Sequence, residues 1–157
     1  MIYYTQKERE VNAMVKEINF DMDGTIVNFY GVENWLDYLI AKDPYPYAVA
    51  KPLVNMSALA RRLNTLQHEG YKINIISWLA KNSTPEFDEK VTEIKKNWLK
   101  KHLPSVNWDK ISIVSYGIDK STLGDGVLFD DEERNRNMWG ENAYDVHNIL
   151  EVLKSFS

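Results

Sequence analysis

The chain of 157 residues is 44% hydrophobic and 27% charged, the balance of a globular protein in water with enough length to bury a core. Its formal net charge of −4 argues against a nucleic-acid polymer as the main partner, because such binding rests on a basic surface. Cysteine is absent, which excludes disulfides and thiolate metal sites and fits a reducing compartment.

In chain order, Thr5-Gln6-Lys7-Glu8 reads as a capping box opening a short helix, with Val11, Met14 and Val15 on one side. A strand is predicted near 17–22. Glu33 to Ala41 forms a short helix carrying Trp35, Leu36, Leu39 and Ile40, broken by Asp43-Pro44-Tyr45-Pro46-Tyr47. From Leu53 to His68 apolar residues recur at Met56, Leu59, Ala60, Leu63 and Leu66, a helical spacing with Gly70 as C-terminal cap. Lys72 to Ser77 is a second strand. Thr84 caps the next helix, Pro85 takes its first turn, and Phe87, Val91, Ile94, Trp98 and Leu99 form its apolar stripe. Ile111 to Val114 and Val127 to Phe129 are further strands, and Ala143 to Val146 a fifth. A last helix carries Ile149, Leu150, Val152, Leu153 and Phe156. No stretch approaches a membrane span and no secretory leader is visible at the N-terminus, so one cytoplasmic domain over 1–157 is expected.

Short apolar strands alternating with amphipathic helices predict an α/β fold, a central parallel sheet covered by helices on both faces. In such sheets ligands bind beyond the carboxyl ends of the strands. Two acidic clusters fall there: Asp21-Met22-Asp23-Gly24-Thr25 after Ile18-Asn19-Phe20, and Asp130-Asp131 after Val127-Leu128-Phe129. Packed carboxylates repel one another unless a cation lies among them. Small hard cations such as Mg²⁺ take oxygen ligands and share their shell with phosphate. A Mg²⁺-dependent phosphoryl site follows as the expectation.

Asp21-Met22-Asp23-Gly24-Thr25 resembles the first motif of the haloacid dehalogenase-like (HAD) phosphatase superfamily, and the longer run to Phe29 resembles the opening of the 5'(3')-deoxyribonucleotidases. Ser77 ending its strand, Lys120 in the loop and Asp130-Asp131 resemble the second, third and fourth motifs, in order, across residues 17 to 137. Lys96, Trp98 and His102-Leu103 also sit in a helix resembling that family's. Asn28 stands where the nucleotidases usually carry Asp, and Ser77 replaces their commoner Thr. The resemblance implies a three-layer HAD-like Rossmannoid fold with a small helical cap inserted around 29–52.

The roles follow from the residue chemistry together with this resemblance. Asp21 is the candidate nucleophile, since a carboxylate attacking phosphorus gives an aspartyl-phosphate that water hydrolyses. Asp23, two residues on, is placed to protonate the leaving alkoxide and then deprotonate water. The resemblance assigns Ser77 a hydrogen bond to a phosphoryl oxygen, although a lone strand-end serine is more often a turn residue. Lys120 would neutralise phosphoryl charge and keep Asp21 ionised, against the default of a solvated lysine. Lys110 is a rival, but it precedes its strand and falls at the opposite end of the sheet. Gly24 lets backbone approach phosphate, and Thr25 joins it in the substrate-binding set. As metal ligands the resemblance implies Asp21, the backbone carbonyl of Asp23, Asp131 directly and Asp130 second, through water. Phe29 matches an aromatic that contacts substrate in the nucleotidases. The implied substrate is a small phosphate ester, a nucleoside 5'-monophosphate before a sugar phosphate or a nucleic-acid 3'-phosphate end. A silent nucleotide-binding or partner-binding domain is the rival from another class.

Overall fold

The computed structural model describes residues 15–156; the capping box at Thr5 to Glu8 lies outside them. Five strands, β1 (Glu17–Phe20), β2 (Lys72–Trp78), β3 (Lys110–Val114), β4 (Val127–Phe129) and β5 (Ala143–Tyr144), form one sheet in the order β3-β2-β1-β4-β5. Every pairing is parallel. Among the described residues the α-helices are α1 (Trp35–Ile40), α2 (Tyr45–Val49), α3 (Met56–His68), α4 (Pro85–His102), α5 (Glu133–Trp139) and α6 (Ile149–Lys154). This is the α/β fold class expected, and the residues of β4 and all of β2 beyond Lys72 are buried, so side chains on both faces of the sheet are covered.

The chain runs outward from β1 through β2 to β3, then returns to β4 on the other side of β1. The order therefore reverses between β1 and β4, where such sheets leave a crevice at their carboxyl ends. Register places Phe20 opposite Phe129, and their rings stack at 5.2 Å. The residues that follow, Asp21 and Asp130, must then leave the sheet side by side. The Asp21 amide donates to the Phe129 carbonyl at 2.9 Å, carrying the pairing one step past the strand.

Helices with clear periodicity form as read. In α3 the buried positions are Leu59, Leu63 and Leu66. Its start moves from Leu53 to Met56, because the Asn55 side chain caps it by accepting from the Ala58 amide at 3.0 Å. Leu53 instead donates its amide to the Ile26 carbonyl. Gly70, at φ +97, ends the helix in a left-handed turn: its amide reaches the Gln67 carbonyl and that of Tyr71 the Leu66 carbonyl. In α4 the Thr84 hydroxyl accepts from the Phe87 amide, as expected, with Pro85 at the first turn.

Other expectations are corrected. Asp43 to Tyr47 is not simply a break, since α2 begins at Tyr45 with Pro46 in its first turn. Proline costs nothing there, because the amides of a first turn have no intrahelical partner. The first strand stops at Phe20 rather than 22, and β5 keeps only two residues. Val15, where the described residues begin, is exposed and not itself helical. Among those residues no helix is long and apolar enough to cross a membrane.

Candidate active site

Asp21 stands at the floor of a cavity of about 570 Å³. Its Oδ1 accepts from Lys120 Nζ at 2.9 Å and its Oδ2 from the Thr25 hydroxyl at 2.9 Å. Both oxygens are thereby held, and the carboxylate is fixed in orientation. Thr25 is itself buried and accepts from the Asp131 amide at 3.2 Å, so the first loop and the loop after β4 are tied together through one hydroxyl. It braces the two acidic clusters from behind and does not line the cavity.

Lys120 is 2% exposed and also donates to Asp130 Oδ2 at 2.7 Å. It lies in a 3₁₀ turn (Lys120–Thr122) whose start Asp119 caps by accepting from the Ser121 amide. Burial alone would lower its pKa, but the charges of Asp21 and Asp130 outweigh it and hold the ammonium above its ordinary value. Lys110 sits at the start of β3, at the other end of the sheet, and does not reach this site.

Asp130 is fully buried, and its carboxylate is saturated. Beyond Lys120 it accepts from Asn135 Nδ2 at 3.1 Å and from the Glu132 amide at 2.9 Å, while Arg136 donates to its carbonyl. Burial and the Asp21 charge raise its pKa to about 6, against the opposing pull of Lys120. The Asp131 carboxylate receives a long contact of 3.4 Å from Thr25 and also meets the Asp21 carboxylate. Burial, and next the Asp21 charge, push it up to about 8. Gly24, at φ +82, lies under this group: a Cβ there would collide with the Asp131 carboxylate.

Carboxylate oxygens of Asp21, Asp130 and Asp131 lie within 4.8 Å of one another. These are hard oxygen donors, and one lysine faces three acids. The elevated pKa of Asp131 measures how poorly the cluster tolerates full ionisation without further positive charge. The donor set therefore fits a small divalent cation. Asp131 has the more available oxygens and Asp130 stands behind it.

The Asp23 carboxylate is not part of that cluster. Its Oδ2 accepts from Lys95 Nζ at 3.0 Å, and Lys95, 2% exposed, also donates to Ser77 Oγ at 2.7 Å and to the Trp78 carbonyl at 2.8 Å. All three ammonium hydrogens are used. Since lysine has no acceptor, the Ser77 oxygen must accept, and its own hydrogen is left to point elsewhere. Ser77 is 1% exposed and does not line the cavity; Asp23 does. Burial raises the Asp23 pKa, Lys95 offsets part of that, and the Asp21 charge adds to it.

Lys95 has no place in the sequence reading above, where Lys96 stood out; Lys96 is exposed. The signal was present: Lys95 falls four residues after Val91 and four before Leu99, in the middle of the buried stripe of α4. A lysine in an apolar stripe calls for a partner. Trp78 was also missed, and its indole lies 5.6 Å from the Lys120 ammonium and 4.8 Å from the Arg134 guanidinium.

The opposite wall of the cavity comes from the segment between the first loop and α2. Phe29, Tyr30, Trp35, Leu36, Leu39, Ile40 and Tyr47 all face it. Phe29 is nonetheless 2% exposed, packed against Tyr47 at 4.5 Å, Tyr30 at 5.3 Å and Trp35 at 5.6 Å. Burial and the Asp23 charge raise the Tyr30 and Tyr47 phenols, which stay neutral.

No family model matches this chain, and no curated protein is detectably similar in sequence. Among solved structures it is similar to the crystal structure of D,D-heptose 1,7-bisphosphate phosphatase from Burkholderia thailandensis, with a TM-score of 0.57 and 12% identity over 90% of this chain and 97% of that one. At that identity the likeness is one of fold, and it extends over nearly the whole of both chains.

Proposed function

We propose that this protein hydrolyses phosphate monoesters through an aspartyl-phosphate on Asp21, and that its substrates are nucleoside 5'-monophosphates. The observation that carries the reading is the state of Asp21: an oriented carboxylate at a cavity floor, with a buried lysine on one oxygen and a hydroxyl on the other. A structural carboxylate so paired would have no need of an open cavity above it.

In the first step the Asp21 carboxylate attacks phosphorus, the ester P–O bond breaks, and Asp23 passes its proton to the leaving alkoxide. In the second, water attacks phosphorus, Asp23 takes the proton, and the acyl-phosphate bond breaks to release phosphate and free Asp21. The raised pKa of Asp23 suits a group that must hold and return a proton. Ser77, with its hydrogen unclaimed but its side chain buried beside Lys95, would donate to a phosphoryl oxygen only after substrate binding uncovers it. Mg²⁺ held by Asp21, Asp131 and the Asp23 carbonyl, with Asp130 behind, would supply positive charge against the transferring phosphoryl group. The helical segment around 29–52 acts as a small cap, and Tyr30 and Trp35 stack the base. A wall of aromatic and aliphatic side chains favours a flat ring over a sugar, whose hydroxyls would need hydrogen-bond partners there.

Turnover of a generic aryl phosphate and of deoxyribonucleoside monophosphates, with Mg²⁺ and with chelator, tests the reading. Asp21→Asn should reduce turnover by at least a thousandfold, on the order of the loss when a covalent nucleophile is removed, while the thermal transition stays cooperative. Activity within tenfold of the parent would exclude covalent catalysis by Asp21. A folded parent inert toward every phosphate ester would leave the silent binding domain.

A further inference from the structure

The cavity mouth carries positive charge that the chemistry above does not use. Lys42 and Lys81 both line the cavity, and Lys81 makes only a cation–π contact, with Tyr116 at 6.0 Å. The Arg134 guanidinium carbon lies over two cavity-lining rings, 4.8 Å from the centre of Trp78 and 5.6 Å from that of Tyr116, which meet each other at 5.0 Å. Among the described residues neither Arg134 nor Lys81 has a carboxylate within ion-pair distance, although Glu132 also opens on the cavity. In a chain of net charge −4, two cations beside the cavity that no carboxylate pairs with among the described residues are open to an anionic ligand. Contact with the two ring faces positions the guanidinium, and no hydrogen bond to its N–H donors is seen among the described residues, so they can meet a planar or tetrahedral oxyanion.

The link to the catalytic end is Trp78. The Lys120 ammonium, bound to Asp21, and the Arg134 guanidinium lie 5.6 Å and 4.8 Å from the same indole. One small molecule can therefore reach both cations.

We propose that the substrate carries a second phosphate, bound by Arg134 and Lys81 beside Trp78 and Tyr116 while the first meets Asp21; this rests on the phosphomonoesterase reading and puts a bisphosphorylated nucleoside in place of the 5'-monophosphate as the preferred substrate. The mouth then selects for the second anion, and a nucleoside monophosphate fills the cavity without engaging these cations.

The test compares deoxyadenosine 3',5'-bisphosphate with deoxyadenosine 5'-monophosphate. The parent should favour the bisphosphate at least tenfold in kcat/KM, and Arg134→Met combined with Lys81→Met should bring that ratio close to one. Both residues are exposed, so the fold is not at stake. Equal kcat/KM for the two compounds in the parent, or a preference that survives both substitutions, overturns the proposal while leaving the phosphatase reading intact. Calorimetric binding of the same pair to Asp21→Asn protein supplies a readout without turnover. A binding preference abolished by the two substitutions, in a parent that hydrolyses neither compound, would uphold the anion site and sink the enzyme. A 5'-phosphorylated dinucleotide identifies the source: affinity matching the bisphosphate means a phosphodiester suffices and a chain end is accepted, while weaker binding means the second group is a terminal phosphate.

Discussion

Two buried ammonium groups divide the acids at the sheet end between them. Lys120 takes Asp21 and Asp130, and Lys95 takes Asp23 together with Ser77. The division keeps Asp21, the proposed nucleophile, and Asp23, the proposed proton-transfer group, in separate electrostatic settings, and burial makes Asp23 easier to protonate than a free carboxylate. Lys95→Met preserves length and packing but leaves Asp23 without its partner. Breaking a fully buried ion pair costs about 3–5 kcal/mol; here the Asp23 side chain is 17% exposed and has protonation as an escape, so about 1–3 kcal/mol is expected. The sign with pH is definite. Without Lys95 the Asp23 pKa rises further, the folded state binds the extra proton, and the stability lost grows as pH rises. Urea unfolding of parent and variant under acid and mildly alkaline conditions checks this, and identical losses under both would mean Lys95 serves only as packing. This residue was illegible for a physical reason: lysine's default is solvent, and only its position within the stripe of α4 opposes that default. Asp21, Asp23 and Asp130-Asp131 were legible because acids directly after apolar strand runs have few structural uses.

At the scale of elements, the segment from Phe29 through α2 separates packing from contact. The matched aromatic, Phe29, is the base on which Tyr30, Trp35 and Tyr47 rest. Phe29→Ala should therefore cost about 3–5 kcal/mol of stability, as for other buried aromatics, with similar losses on aryl and nucleotide substrates. Tyr30 stands edge-on to it and is 48% exposed toward the cavity. Tyr30→Ala should leave the melting temperature nearly unchanged and lower kcat/KM for nucleotides about tenfold relative to an aryl phosphate, from a stacking contribution of about 1–3 kcal/mol per base. Thermal melts and the two kcat/KM values separate these cases; a Tyr30 variant that loses both substrates equally would remove the base from this wall. The long helices were readable because burial imposes a 3.6-residue period over many turns. The five residues of α2 and the two of β5 are too short for a period to show, and their conformation is set by what they pack against.

For the molecule as a whole, the topology converts two distant sequence clusters into one charge centre. Parallel pairing of β1 with β4 brings residues more than a hundred positions apart into hydrogen-bonding contact, as Thr25 and Asp131 show. Periodicity identifies both strands, but the order of strands in a sheet is not local information, and it is seen only in the folded structure. The resulting centre sets the pH response of the whole fold. Asp131 is pushed from 3.8 up to about 8 and Asp130 to about 6. A carboxyl raised in the folded state makes that state bind more protons than the unfolded chain, so metal-free stability falls as pH climbs from about 4 toward 8. A divalent ion that binds these oxygens must displace the Asp131 proton, and its affinity rises over the same window. Chelator-treated protein should therefore lose melting temperature with increasing pH, and Mg²⁺ at a hundredfold excess over Kd should restore about 5–10 °C, with the larger restoration at the alkaline end. Scanning calorimetry with and without Mg²⁺ across this range measures both slopes. A Mg²⁺ shift that does not change with pH would mean the ion binds away from Asp131, and with it the phosphoryl chemistry assigned to this sheet end would lose its cation.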